Sequence, residues 1–225
     1  PLIFNVTNIH NLTCFGFDDG TATVNVIGGT SPYTIAWSDP AITGFVQDAL
    51  APGTYDFTVT DDNGCFGSSS FVINDAAPFS VSSSVTNVAC HGNSSGSIVV
   101  NVTGGTPPLA YNWSNSQMVS SLYNIVAGSY TITVTDYNGC SIENTFVVTE
   151  PYLLETHIYS ENVNCYGDNS GQILASVTGG TWPYSFHWSN NATSQNLTDV
   201  YFGNYIVTVT DANSCTSYGY AIITQ

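Results

Sequence analysis

The sequence predicts an all-β protein built from three tandem β-sandwich modules of about 75 residues, each with one disulfide. Three observations predict it. Cysteines stand at 14, 65, 90, 140, 165 and 215, so the first of each pair recurs after 76 and then 75 residues and the second after 75 each time. Apolar and polar residues alternate with period 2 in every copy. Turn residues separate the alternating runs at regular intervals.

The repeat sets the organisation. Gly28-Gly29-Thr30 returns as Gly104-Gly105-Thr106 and Gly179-Gly180-Thr181. Pro32 returns as Pro108 and Pro183, and Trp37-Ser38 as Trp113-Ser114 and Trp188-Ser189. Gly53-Thr54-Tyr55 becomes Gly128-Ser129-Tyr130 and Gly203-Asn204-Tyr205. Val59-Thr60-Asp61 becomes Val134-Thr135-Asp136 and Val209-Thr210-Asp211. We therefore expect modules at 1–76, 77–151 and 152–225. Asp75-Ala76-Ala77-Pro78 and Glu150-Pro151 punctuate them. Proline fixes φ and restricts the preceding residue, so the linkers read as stiff and the array as a semi-rigid rod.

Within a copy, Tyr130, Ile132 and Val134 face one way and three threonines the other, the pattern of a half-buried strand. Tyr55 to Thr60 repeats it. Thr21 to Ile27, Ser97 to Val102 and Gln172 to Val177 read as further strands, and no window supports a helix. Asp62-Asn63-Gly64, Tyr137-Asn138-Gly139 and Ala212-Asn213-Ser214 sit between two β runs and read as hairpin turns. Several short strands of this kind imply two packed antiparallel sheets, immunoglobulin-like in the broad sense, with the tryptophans at 37, 113 and 188 in the core.

A core of this size is marginal alone, which gives the cysteines a purpose. Six cysteines allow about 15 pairings. Pairing inside each copy, Cys14 with Cys65, Cys90 with Cys140 and Cys165 with Cys215, is preferred because the unit repeats whole. It closes loops of about 50 residues, with a chain-entropy contribution of roughly 4 kcal/mol each. One tension follows. An up-and-down path with an even strand count puts both cysteines, and both termini, at one pole, which suits a rod badly.

Charge excludes several functions. The chain has 16 acidic residues and no Lys or Arg. Phosphate backbones and anionic lipid surfaces are recognised by cations, so nucleic-acid and membrane-surface binding are not expected. Charged residues make up 7%, far below the usual figure of about 25%. Cleavage sites for trypsin-like proteases are absent, which suggests selection for life among secreted proteases. No run of about 18 apolar residues marks a membrane helix. A chain opening at Pro1 without a signal peptide reads as an internal fragment of a longer secreted protein. Even cysteine counts fit an oxidising, extracellular compartment.

Chemistry-bearing candidates are few. His10, His91, His157 and His187 fall at different places in the copies, so no metal site repeats, and no catalytic residue or cofactor is expected. His91 follows Cys90, whose expected role is a disulfide. Calcium is the one metal to weigh: Asp61, Asp136 and Asp211 recur, and Asp18, Asp19 and Asp168 lie beside the first cysteine of a copy. Asp75 and Glu150 are weaker candidates at the linkers. The simpler role for the recurring aspartate is to accept backbone N–H groups in its turn. Trp182 and Tyr184, with Tyr201 and Phe202 nearby in sequence, are candidates for stacking on sugar rings; Trp182 against a neighbouring module is the alternative. The sequons at Asn5, Asn101 and Asn196 are expected to be incidental.

The string Gly-Gly-Thr-x-Pro-Tyr, then Trp-Ser, Gly-x-Tyr and Val-Thr-Asp-x-Asn-Gly-Cys resembles the SprB-type repeats of large surface adhesins from gliding bacteria of the Bacteroidetes group. The resemblance covers all three copies. Asn213-Ser214-Cys215 departs from Asn-Gly-Cys, and Leu109 stands where the other copies have Tyr33 and Tyr184. It implies export by the type IX route, long tandem arrays, and attachment to surfaces during gliding. The expected function is a structural or adhesive stalk whose partners are neighbouring repeats, surface polysaccharide or further copies assembled into fibres. A multivalent carbohydrate-binding array and a spacer in a secreted enzyme are the alternatives.

Overall fold

A computed structural model describes all 225 residues, and every regular element is a strand. In the first repeat these are β1 (Leu2–His10), β2 (Gly20–Gly28), β3 (Thr34–Trp37), β4 (Val46–Leu50), β5 (Gly53–Thr60) and β6 (Phe66–Ile73). The second contains β7 (Ser80–Thr86), β8 (Gly96–Thr103), β9 (Ala110–Trp113), β10 (Ser121–Ile125), β11 (Gly128–Thr135) and β12 (Ser141–Val148). The third contains β13 (Glu155–Glu161), β14 (Gly171–Thr178), β15 (Ser185–Trp188), β16 (Leu197–Val200), β17 (Gly203–Thr210) and β18 (Thr216–Ile223). Two compact units divide the chain: residues 1–82 with 101–118 and 132–144, and residues 83–100 with 119–131 and 145–225.

Each repeat forms two three-stranded sheets, ordered β1-β2-β4 and β3-β5-β6 in the first, with the same two orders in the others. Lettered by position, these are A-B-E and C-F-G, the immunoglobulin arrangement without its D strand. In the first repeat the sheets enclose Leu12, Ala22, Val24, Leu50, Phe57, Val59, Phe71 and Ile73. In the third they enclose Ile173, Ala175, Trp188, Val207, Val209, Ala221 and Ile223, among others. The period-2 pattern places these side chains inward: along β14, Gly171, Ile173 and Ala175 are buried and the residues between them exposed.

The tryptophans, expected in the core, are the last residues of the C strands. Trp113 and Trp188 are buried. Trp37 is only half-buried, because Phe57 and Phe71 fill the space that Val207 and Ala221 leave open in the third repeat. A recurring feature marks the E–F corner. The hydroxyls of Tyr55, Tyr130 and Tyr205, near the starts of β5, β11 and β17, donate to the carbonyls of Ala51, Val126 and Tyr201 at 2.8, 3.0 and 3.0 Å. This is the tyrosine corner of immunoglobulin folds. The cysteine that usually follows two residues later is replaced by the buried Phe57, Ile132 and Val207.

Strand direction resolves the tension in the sequence. In the first repeat β2 runs antiparallel to β4, with Gly20 opposite Leu50. β4 therefore begins at the end where β3 began, and the connection 38–45 travels the length of the sandwich. This crossover puts the β1–β2 loop, with Cys14, at one pole and the β5–β6 hairpin, with Cys65, at the other. Eight residues of β5 separate them, about 25 Å of strand. A disulfide needs Cα atoms within about 7 Å. Pairing inside the copy is therefore ruled out in the first repeat, and by the same topology in the third. The chain's entry at Leu2 and exit at Ile73 likewise fall at opposite poles.

Tyr130→Phe removes one corner bond at a site only 8% exposed. We expect a loss of about 1 kcal/mol in chemical denaturation followed by tryptophan fluorescence, and an unchanged midpoint would show that the corner is dispensable.

Candidate functional site, a disulfide clasp joining repeats

The clasp starts from an aspartate. Asp61, Asp136 and Asp211 are the buried charged residues of the chain, each at the mouth of an F–G hairpin. Oδ1 of Asp61 accepts the N–H groups of Asn63 (3.0 Å) and Cys65 (2.8 Å), and Oδ2 accepts that of Thr30 (3.1 Å). Asp211 accepts Asn213, Cys215 and Thr181 at 2.9, 2.8 and 2.8 Å. Asp136 accepts Cys140 at 2.9 Å and Thr106 at 2.8 Å. The Asn side chain adds a second tie: Nδ2 of Asn63, Asn138 and Asn213 donates to the hydroxyl of Thr30, Thr106 and Thr181. The Thr of Gly-Gly-Thr and the Asp and Asn of the hairpin thus form one unit that fixes the backbone of the second cysteine.

Electrostatics agree with this role. Burial pushes the Asp61 carboxyl upward and is its largest single influence, but the N–H groups of Cys65, Thr30 and Asn63 together outweigh it and hold it below the ordinary carboxylate range. Asp136 is also lowered, first by the N–H of Thr106, against burial and with help from Cys140, Asn138 and Gly139.

The turn differs from expectation in one respect. Only its last residue has positive φ: 78° at Gly64, 86° at Gly139 and 67° at Ser214. It is a helical-type turn followed by one left-handed residue, rather than a turn with two. A serine is tolerated at that single position at a cost of about 1–2 kcal/mol. The Gly-Gly pairs are more demanding. A Cβ on Gly28, Gly104 or Gly179 would collide with the carbonyl oxygen of Pro1, Pro78 or Leu153, where the incoming chain crosses.

The first cysteine sits in the A–B loop, in a turn closed by N–H donation from Phe17 to Cys14, Asn93 to Cys90 and Asp168 to Cys165, at 3.1–3.2 Å. Linker acids brace it. Asp75 accepts the N–H of Gly16 at 3.1 Å, and Glu150 accepts that of Gly92 at 2.6 Å and lies 3.2 Å from Nδ1 of His91.

The disulfides join these two elements across successive repeats. Cys14 bonds Cys140, with Cα atoms 5.6 Å apart, and Cys90 bonds Cys215, also at 5.6 Å. Cys65 and Cys165 are free and exposed. The expected pairings of Cys14 with Cys65, Cys90 with Cys140 and Cys165 with Cys215 are therefore corrected, and the cause is the crossover that sends a repeat's two cysteines to opposite poles. Each disulfide lies inside one compact unit. In the first unit Phe79 of the linker packs over Gly105, beside Cys14 and Cys140. In the second, Nδ2 of Asn213 donates to the carbonyl of Ala89 at 3.0 Å, next to the Cys90–Cys215 bond.

The other candidates scatter. Asp19 accepts the N–H and hydroxyl of Thr13, Asp168 accepts the N–H of Asn169, and Asp18 is exposed. Trp182 is 79% exposed in the B–C loop of the third repeat. Tyr184 is half-buried, with its hydroxyl donating to the Gly179 carbonyl at 2.6 Å. Tyr201 and Phe202 lie in the E–F turn at the opposite pole. His10 bonds Asn8 and Thr21, and His157 lies near Glu155.

With this geometry in place, comparison with known families is specific. The family model described as SprB repeat matches residues 6–42, 82–118 and 159–193. The three copies are SprB repeats. Each match spans the A–B loop with its cysteine, the Gly-Gly-Thr segment and the Trp-Ser pair of an SprB repeat, and stops before the F–G hairpin. No curated protein matches the chain. Among solved structures, the eight N-terminal immunoglobulin domains of Down syndrome cell adhesion molecule align over 98% of these SprB repeats and 36% of their own chain, at 11% identity and a TM-score of 0.46. Sidekick-1 immunoglobulin domains 1–5 align over 98% and 58%, at 8% identity and a TM-score of 0.37. The mouse nectin-like molecule 4 ectodomain aligns over 99% and 93%, at 9% and 0.36. The SprB chain thus spans about a third of the first and somewhat over half of the second.

Lowered carboxyl values give a pH test. A carboxyl whose value falls on folding contributes stability above its unfolded value, near 4, and that contribution is lost as pH drops through the folded value. Asp136→Asn should lower stability at pH 7 and flatten the decline below about pH 4 in denaturant midpoints, and an unchanged acid limb would remove Asp136 from this role.

Proposed function

We propose that the chain is a load-bearing stalk segment of an extracellular, cell-surface adhesin, acting mechanically rather than as an enzyme. One observation carries this reading: the disulfides overlap. Cys14–Cys140 and Cys90–Cys215 share residues 90–140, so each closes a loop entered by the other. A pulled chain is then held along a short covalent route, from Pro1 to Cys14, across to Cys140, back to Cys90, across to Cys215 and on to Gln225. That route has about 75 residues and a limit of roughly 260 Å, against about 790 Å for all 225. A chain without Lys or Arg also offers nothing to trypsin-like proteases, which suits exposure outside the cell. Attachment during gliding, export by the type IX route and growth into fibres are the family setting into which this stalk would fit.

Glycan binding is the second reading, carried by the exposure of Trp182. It predicts that Trp182→Ala lowers retention on a polysaccharide matrix, and equal retention would dismiss it.

Single-molecule stretching tests the stalk. The oxidised chain should extend to no more than about 260 Å and the reduced chain to about 790 Å. Equal lengths in both states would overturn the reading.

A further inference from the structure

The outward face of the C-F-G sheet changes character between repeats. Four positions at its centre carry Ala36, Asp56, Ser68 and Ser70 in the first repeat and Asn112, Thr131, Glu143 and Thr145 in the second. In the third they carry His187, Ile206, Tyr218 and Tyr220. Strand pairing gathers these four: His187 is opposite Thr208, Thr208 opposite Tyr218, and Ile206 opposite Tyr220. We infer that this face of the third repeat is a binding platform for an uncharged polysaccharide. It shares its class of ligand with the glycan reading above but not its residue, since Trp182 lies in the B–C loop, so either can fail without the other.

The fold does not need these side chains. The sheet packs through its other face, where Val207, Val209, Ala221 and Ile223 are buried. The first repeat forms the same sheet with serines at both tyrosine positions. Tyr218, Tyr220 and Ile206 are 68%, 54% and 47% exposed, and Ile222 beside them is 52% exposed. Large apolar groups gathered on one exposed face mark a contact surface.

Charge and shape select the ligand. The strands of this face, Ser185–Trp188, Gly203–Thr210 and Thr216–Ile223, hold no acidic residue, in a chain with 16 of them and no Lys or Arg. The acids of the repeat lie elsewhere: Glu155, Glu161 and Asp199 on the A-B-E strands, Asp168 in the A–B loop and Asp211 buried at its hairpin. A charged partner finds no counter-charge on the face. Rings and polar groups alternate there. Tyr218 and Tyr220 stand about 7 Å apart along one strand, and His187 and Tyr218 about 10 Å apart across three, with Thr208 between them. A pyranose offers a flat face of C–H groups, which lies against the negative face of an aromatic ring. Its rim of hydroxyls donates to and accepts from Thr208, Asn204, Ser185 and the His187 imidazole. A second copy of the chain is the poorer occupant. It would bring another 16 negative charges, and it would bury those polar groups without a matching set of hydroxyls.

The experiment is affinity electrophoresis of the full 225-residue chain through native gels containing hydroxyethylcellulose, galactomannan or dextran, with alginate as the anionic comparison. At least one neutral polymer should retard the chain, and alginate should not. Two variants borrow the residues of the first repeat: Tyr218→Ser with Tyr220→Ser, and Ile206→Asp. Each is checked for folding by its denaturant midpoint. The tyrosine variant should raise Kd for the retarding polymer about tenfold, the order of one lost stacking contact, and Ile206→Asp should also weaken retardation. Tyr218→Phe with Tyr220→Phe keeps the rings and should keep most of the binding. Three results would overturn the inference: no retardation by any neutral polymer, retardation by alginate as strong as by the best neutral polymer, or both first-repeat variants retarded like the unaltered chain. Sedimentation of the same samples reads the competing occupant. A chain that dimerises while its tyrosine variant stays monomeric, with no neutral polymer retarding either, assigns the face to a second copy instead. Trp182→Ala, run alongside, separates the two glycan sites: loss of retardation there with none in the tyrosine variant overturns the platform and leaves the Trp182 reading standing.

Discussion

A buried carboxylate in a chain with no lysine or arginine must find its donors in the backbone, and the rest of this structure depends on how it does so. Asp61, Asp136 and Asp211 each take amide donors from two separate loops. One loop carries Gly-Gly-Thr and the other carries the second cysteine. The carboxylate therefore performs the work of a salt bridge with no cation, and it fixes the cysteine backbone in the form the disulfide uses. Hydrogen bonds to a charged acceptor are among the stronger ones in proteins, which suits a small module with a thin core. The carboxylate oxygens face N–H groups, whereas a hard cation is held by converging oxygens.

Much of this was legible in the residues. Period 2 placed the inward side chains, and the recurring Trp-Ser, Gly-x-Tyr and Val-Thr-Asp segments located strands that exist. The role of Asp61 as a turn acceptor followed from its position before Asn-Gly. The disulfide partners did not follow. Alternation along a strand is the same in either direction, so it cannot say whether 38–45 turns back as a hairpin or crosses to the other pole. Length held the missing signal: eight residues with Pro40 and Gly44 exceed a tight hairpin loop of two to five. The sugar-stacking set was overdrawn for the same reason. Tyr201 and Phe202 are close to Trp182 in sequence, but a strand carries them to the far end of the sandwich.

The immunoglobulin likeness also has a physical boundary. The strand order and the tyrosine corner are shared, while the inter-sheet disulfide is absent and its F-strand position is filled by Phe57, Ile132 and Val207. No covalent bond joins the two sheets of a sandwich, and the disulfides are moved to the ends of the repeats. A bond inside a sandwich strengthens that sandwich. A bond at its end strengthens the series.

Overlap has one more consequence, which concerns damage. Every peptide bond between Cys14 and Cys215 lies inside at least one disulfide-closed loop. A single hydrolytic nick anywhere in that stretch leaves both pieces covalently attached. With both disulfides intact, parting the two ends takes three cuts, one in each of 14–90, 90–140 and 140–215, whereas with one disulfide reduced a single suitably placed cut is enough. The molecule behaves in this respect like a plied rope, in which one broken fibre does not part the line.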